Sequence, residues 1–146
     1  MLPRDVNIGT YLNSSINAVN NAATAAVNGT AIQIVSANQS GSDYSSGQIL
    51  LYPGAATGSP SALSVACQVQ HSADGSTNWT NYSDPQGAGN LTLTAPSSQA
   101  TINVNLIAAL SYIRLQITPT LTGGSSPSIP VIGAIALGAR SPLPAS

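Results

Sequence analysis

LSVACQVQHSADGSTNWTNYS, residues 63–83, reads as a strand, a turn and a returning strand without interruption. Leu63, Val65, Cys67 and Val69 alternate with Ser64, Ala66, Gln68 and Gln70. Successive side chains of a strand point to opposite faces, so the first row is expected in a core and the second toward water. Ser72-Ala73-Asp74-Gly75-Ser76 supplies the reversal. Asp74 can hydrogen-bond its own downstream backbone, and Gly75 can take the positive φ that closes a hairpin or forms a bulge. Trp79, Thr80 and Tyr82 are strand formers, so the return is expected to lie across from the first strand, with the Trp79 and Tyr82 rings covering the sheet.

The same alternation recurs on both sides of the hairpin. Downstream, Leu91 and Leu93 alternate with Thr92 and Thr94, Ile102, Val104 and Leu106 with Asn103 and Asn105, and Ile113, Leu115 and Ile117 with Tyr112, Arg114 and Gln116. Val131 to Leu137 is a last apolar strand, expected to kink at Gly133. Upstream, short strands are expected over Ala31–Val35 and Gln48–Tyr52. The Ser-, Gly- and Pro-rich stretches Ser36–Gly47, Pro53–Pro60, Asp84–Gly89 and Thr118–Pro130 read as loops. Short strands spaced roughly 8–12 residues apart and punctuated by such turns predict an all-β, antiparallel β-sandwich. About eight of them fit a jelly-roll-like topology.

Residues 1–29 read as an N-terminal arm, polar and small, with Ile8, Leu12, Ile16, Val19 and Val27 as scattered anchors. The run Asn13–Val27 fits a helix, because Ile16, Val19, Ala23 and Val27 share a face. It fits an extended segment as well, because Asn is a poor helix former. The expected organisation is thus an arm (1–29), a sandwich domain (30–140) and a C-terminal tail (141–146).

Composition narrows the function. Only 5% of the 146 residues are charged, against about 25% in an ordinary domain. The charges are Arg4, Arg114, Arg140, Asp5, Asp43, Asp74 and Asp84, with no Lys and no Glu. Nucleic acid and anionic lipid are recruited by several cations on one face, so neither is an expected partner. A near-neutral surface also lacks the repulsion that keeps small proteins apart, which suits a chain whose surface is covered by neighbours in an oligomer or lattice. Arg4 is followed by no long apolar run, so the start is not read as a secretory signal, and no stretch reaches the ~20 apolar residues of a membrane helix. Synthesis in the cytoplasm is expected. Asn-x-Ser/Thr triplets at Asn13, Asn28, Asn38, Asn78, Asn81 and Asn90 follow from an Asn/Ser/Thr-rich composition.

The residues able to carry chemistry are few. Cys67 is the sole cysteine and falls on the inward row, where a buried, inert thiol is expected. His71 is the sole histidine; a Ser/His/Asp scheme would have to use it, yet no Gly-x-Ser-x-Gly elbow accompanies it, and a structural role at a strand end is expected. Asp74, Ser76 and Asn78 alternate as calcium-loop oxygens can, but the distal Glu of an EF-hand cannot exist in a chain without Glu. Turn chemistry accounts for Asp74. One Cys and one His cannot assemble a zinc site within a chain. No catalytic residue, cofactor or metal is therefore expected. Trp79 with Tyr82, Tyr52 or Tyr44 could form an aromatic platform for sugar, and Arg114 could pair with an Asp or reach a neighbour.

Three segments, QHSADGSTNWTNYSD, QATINVNL and SYIRLQITPTLTGGSSPSIPVIGAIALGAR, together resemble the small head decoration or cement proteins of tailed bacteriophages. The elements that carry the resemblance are the Ser-x-Asp-Gly-x-x-x-Trp hairpin from Ser72 to Trp79, the Tyr-Ile-Arg strand from Ser111 to Leu115, and the Gly-Ser-Ser-Pro-Ser loop leading from Gly124 into the apolar strand that ends at Leu137. It covers about the second half of the chain. Ser111 stands where a basic residue often precedes the Tyr, and the Asn-rich arm has no counterpart. The resemblance implies a jelly-roll-like virion protein that binds the major capsid protein on the outer capsid surface, as a dimer or trimer, and stabilises the shell against internal DNA pressure. Interface candidates are Ile8, Leu12, Ile16, Val19 and Arg114, with Asp74, Gly75 and Trp79 shaping the hairpin. A carbohydrate-binding or host-adhesion module of the virion is the alternative, and a small hydrolase built on His71 a further one.

Overall fold

The structure, a computed structural model, describes residues 16–19, 25–35 and 44–138. Among them the backbone forms β1 (Ile16–Val19), β2 (Val27–Asn28), β3 (Ile32–Gln33), β4 (Ser46–Pro53), β5 (Ala62–Ser72), β6 (Thr80–Asn81), β7 (Asn90–Leu93), β8 (Ala100–Asn105), β9 (Tyr112–Thr122) and β10 (Val131–Gly138), and no helix. They assemble into two sheets in which every pairing is antiparallel. The first sheet runs β1-β10-β4-β8. In the second, β5 and β9 pair along their whole length, from Ala62 opposite Thr122 to Ser72 opposite Tyr112. β2 and β3 line the far side of β9, and β6 and β7 the far side of β5.

The alternation in the sequence explains why these sheets face each other. Val65, Cys67 and Val69 of β5 and Ile113, Leu115 and Ile117 of β9 are buried, and so are Ile49 and Leu51 of β4 and Val131, Ile135 and Leu137 of β10. Each fully buried aliphatic side chain contributes roughly 1.5–3 kcal/mol relative to exposure, and a one-residue slip of register would turn its whole row outward. Ile34, Leu106, Ile129 and Tyr82 extend the core beyond the strands.

Several boundaries differ from the sequence expectation, each for a physical reason. The expected loop at Thr118 begins only after Thr122, because Pro119 is tolerated inside β9. Leu115 O accepts the Gly29 amide at 2.8 Å, so odd-numbered residues of β9 turn their backbone polar groups toward β2. The missing N–H of Pro119 therefore falls past the end of β2 and not in the ladder with β5. Gly133 is no kink: β10 stays in unbroken register with β4 from Val131 opposite Pro53 to Gly138 opposite Ser46. Its lack of a side chain serves close approach of the sheets, since a Cβ there would lie 2.6 Å from Ile117 Cδ1 and 3.5 Å from Cys67 Sγ. Ile16–Val19 and Val27–Asn28 are extended, which decides between helix and strand there. β1 pairs with β10 and β2 with β9, so the stretch read as an arm contributes a strand to each sheet. Ile8, Leu12 and the tail 141–146 lie outside the described residues.

Candidate functional site

The hairpin tip is built by Asp74 and Ser72. Asp74 Oδ1 accepts the amides of Ser76 (2.9 Å) and Thr77 (2.8 Å), and Oδ2 accepts the Thr77 hydroxyl. The buried Ser72 hydroxyl donates to Thr77 O at 2.6 Å and receives the amide of Gly75 at 3.2 Å. These donors, the Thr77 hydroxyl foremost, hold the Asp74 carboxyl well below its usual range. Gly75 has the expected positive φ, +73°, and a Cβ on it would sit 2.7 Å from the Tyr112 ring, so the tip closes over β9.

Beyond the tip, the returning strand is shorter than the sequence suggests: only Thr80–Asn81 pair with β5, and Trp79 precedes them. The Trp79 ring nevertheless reaches Arg114 on β9, whose guanidinium carbon lies 4.3 Å from the ring centroid. β6 and β9 flank β5 on opposite sides, so the two side chains meet across β5. Gln70, set between Arg114 and Asn81 in register, is 7% exposed, although its place on the polar row predicts solvent. Its burial is matched by hydrogen bonds: Arg114 Nε donates to Gln70 Oε1 (2.9 Å), and Gln70 Nε2 donates to Asn81 Oδ1 (3.1 Å). A guanidinium on an indole face is worth about 0.5–1 kcal/mol at exposed sites and more when desolvated.

Tyr82 turns the other way, into the core. Its hydroxyl donates to Asn105 O at 2.5 Å, and its ring lies 5.1 Å from that of His71. Asp84 then fastens the following loop: Oδ1 accepts the amides of Gln86 (2.9 Å) and Ala88 (2.8 Å), and Oδ2 accepts that of Asn105 (3.0 Å). Asp84 is the residue that alternation alone does not single out. Its signal is the Asp-Pro-Gln-Gly order, a turn with Asp first, Pro second and Gly fourth.

The outer face of the first sheet is of a different character. Leu50 (36% exposed), Tyr52 (39%) and Ile132 (45%) stand out from it, and register places Leu50 opposite Ala134 and Tyr52 opposite Ile132. Gln48 and Asn103 of β4 and β8 share this face and bond to each other at 3.0 Å. Among the described residues no charged side chain lies on it. Ile16 and Val19 end the edge strand β1, opposite Ala134 and Val131.

The residues weighed for catalysis are dispersed. Cys67 is fully buried, and burial pushes its thiol up to about 12. His71 Nδ1 accepts the Leu110 amide at 3.2 Å, and partial burial lowers its pKa. Among the described residues no three His, Cys, Asp or Glu side chains gather where a metal ion could be held. The arrangement offers two unlike faces, one apolar and uncharged, one amide-rich with an Arg–Trp stack. No known protein family and no curated protein matches the sequence.

Proposed function

We propose that this chain is a structural virion protein, a jelly-roll-like decoration protein that binds the outer surface of a tailed-phage capsid and stabilises it. The observation that carries the reading is the outer face of the first sheet, where Leu50, Tyr52 and Ile132 are exposed together and, among the described residues, no charged side chain stands beside them. Exposed apolar side chains gathered on one face mark a surface meant to be covered, and a neutral partner-facing sheet loses little by desolvation when it is covered. The charge-poor composition and the resemblance of the hairpin and last strands to capsid cement proteins support the same reading. The major capsid protein is the proposed partner, with a small homo-oligomer over a symmetry axis as the bound form.

The test is the copy number of the chain in purified virions, measured by mass spectrometry against the major capsid protein. A fixed stoichiometric ratio, retained in tailless heads, is expected. Absence from heads, or recovery with tails alone, would overturn the proposal.

A further inference from the structure

We propose that the outer face of the second sheet is a glycan-binding face that takes a linear chain of uncharged hexose units. Strand register sets polar side chains on it in two transverse rows. In one row Asn28, Gln116, Gln68 and Asn90 stand side by side on β2, β9, β5 and β7. In the next, Arg114, Gln70 and Asn81 stand on β9, β5 and β6. Neighbours within a row are set by the strand spacing of roughly 4.8 Å, and the rows lie roughly 7 Å apart, two residues along the strand.

These side chains are held in place before any ligand arrives. Gln116 Nε2 donates to Asn28 Oδ1 at 2.9 Å, Asn90 Nδ2 donates to Gln68 Oε1 at 3.1 Å, and Gln68 Nε2 donates to the carbonyls of Val69 and Tyr82, both at 2.8 Å. The second row is a directed chain from Arg114 through Gln70 to Asn81. Rotamer entropy that binding would otherwise cost is already spent in folding. Binding capacity remains: among the described residues neither Asn28 Nδ2 nor Asn81 Nδ2 has an acceptor, and Arg114, its guanidinium resting on the Trp79 ring, donates a hydrogen bond only through Nε. Each amide offers two donors and two lone pairs.

The chemistry of the face selects the ligand. Sugar hydroxyls are donors and acceptors at once, so vicinal pairs match rows of amides, and the half-exposed Trp79 indole supplies the amphipathic ring on which the apolar face of a hexose stacks. Nucleic acid would need several cations, and Arg114 is the sole one among the described residues of this face. A protein partner would need an apolar centre, whereas the aromatic rings of this face, Trp79 and Tyr112, lie at its hairpin end, and its middle is the two polar rows with Ala66 and the methyls of Thr92, Thr118 and Thr120 beyond them. The proposed capsid-docking face is on the opposite sheet, so the two inferences stand independently.

Titration of the full, isotopically labelled chain with cellohexaose, maltohexaose and mannohexaose, followed by amide chemical shifts and Trp79 fluorescence, tests this. Saturable shifts on β5 and β9 are expected with at least one of the three. Trp79→Ala and Gln116→Ala should each weaken binding about tenfold or more, the equivalent of roughly 1.4 kcal/mol, while Thr101→Ala on the opposite sheet leaves it unchanged. Gln116→Ala tests the amide row even if Trp79→Ala folds poorly. No saturable response to any of the three sugars, or undiminished binding by a folded Gln116→Ala variant, would overturn the proposal.

Discussion

Asp84 Oδ2 accepts the backbone N–H of Asn105 at 3.0 Å, and through this bond the loop that follows the hairpin of the second sheet is fastened to the edge strand of the first. Tyr82 reinforces the joint by donating to the carbonyl of the same residue. Asp84→Ala leaves the amides of Gln86, Ala88 and Asn105 without their acceptor, whereas Asp74→Ala loosens only its own turn. Asp84→Ala should therefore lower Tm more than Asp74→Ala, and calorimetry on the two variants checks the order.

Acid should destabilise the protein in two steps. His71 has a folded pKa below its ordinary 6.5 because of burial. Asp74 and Asp84 lie below their ordinary 3.8, chiefly through the Thr77 hydroxyl and the Asn105 amide respectively. In each case the unfolded chain binds the proton more readily, so stability is full above the unfolded pKa and falls as pH drops through the folded one. Unfolding free energy should be level above neutrality, decline gently below about pH 6.5, and decline again below about pH 4. His71→Ala should lose the first step and keep the second. Stability that rises between pH 7 and pH 5 would contradict the assignment.

Gly75→Val should damage the fold far more than His71→Ala. A β-branched residue at φ +73° costs about 1–3 kcal/mol in backbone strain alone, and its Cβ would also collide with the Tyr112 ring. His71 is a half-buried strand-end side chain with a single hydrogen bond at Nδ1. Denaturant midpoints of the two variants at neutral pH measure the difference.

Gly133 and Ile117 make a compensating pair across the core. Gly133→Ala should cost about 1–3 kcal/mol by overpacking, because its Cβ meets Ile117 Cδ1 at 2.6 Å. Ile117→Val removes that methyl, so the double variant should be more stable than the sum of the single losses predicts. A denaturant double-mutant cycle reads the coupling.

The fold is largely legible in the sequence because most core residues sit on period-two rows: Val65, Cys67 and Val69, Ile113, Leu115 and Ile117, and their partners on β4 and β10 all face inward as alternation dictates. What alternation cannot supply is edge chemistry and close approach. Pro119 looks like a strand breaker until the neighbour on its N–H side is known, and Gly133 looks like a kink until Ile117 is seen above it. The site is legible only in its anchors. Asp74, Gly75 and Trp79 form the hairpin as their residue types suggest, yet the burial of Gln70 goes with its hydrogen bonds to Arg114 and Asn81 on the neighbouring strands, which alternation does not reveal. The exposed trio Leu50, Tyr52 and Ile132 is hidden inside strands that read as apolar on both faces.

The thiol of Cys67 should be silent in the folded chain. Fully buried and with its pKa pushed up to about 12, it should resist a thiol reagent at pH 8 and react fully in denaturant, which a colorimetric thiol assay follows.

The most direct measurement is occupancy of the protein on purified capsids from low to high ionic strength, for the native chain and for the double variant Tyr52→Ser, Ile132→Ser. Docking through an uncharged face leaves little for salt to screen. Occupancy of the native chain should stay nearly constant across the range, and that of the double variant should collapse at every salt concentration. A steep loss of the native chain with salt, or full occupancy by the double variant, would contradict docking through the first sheet.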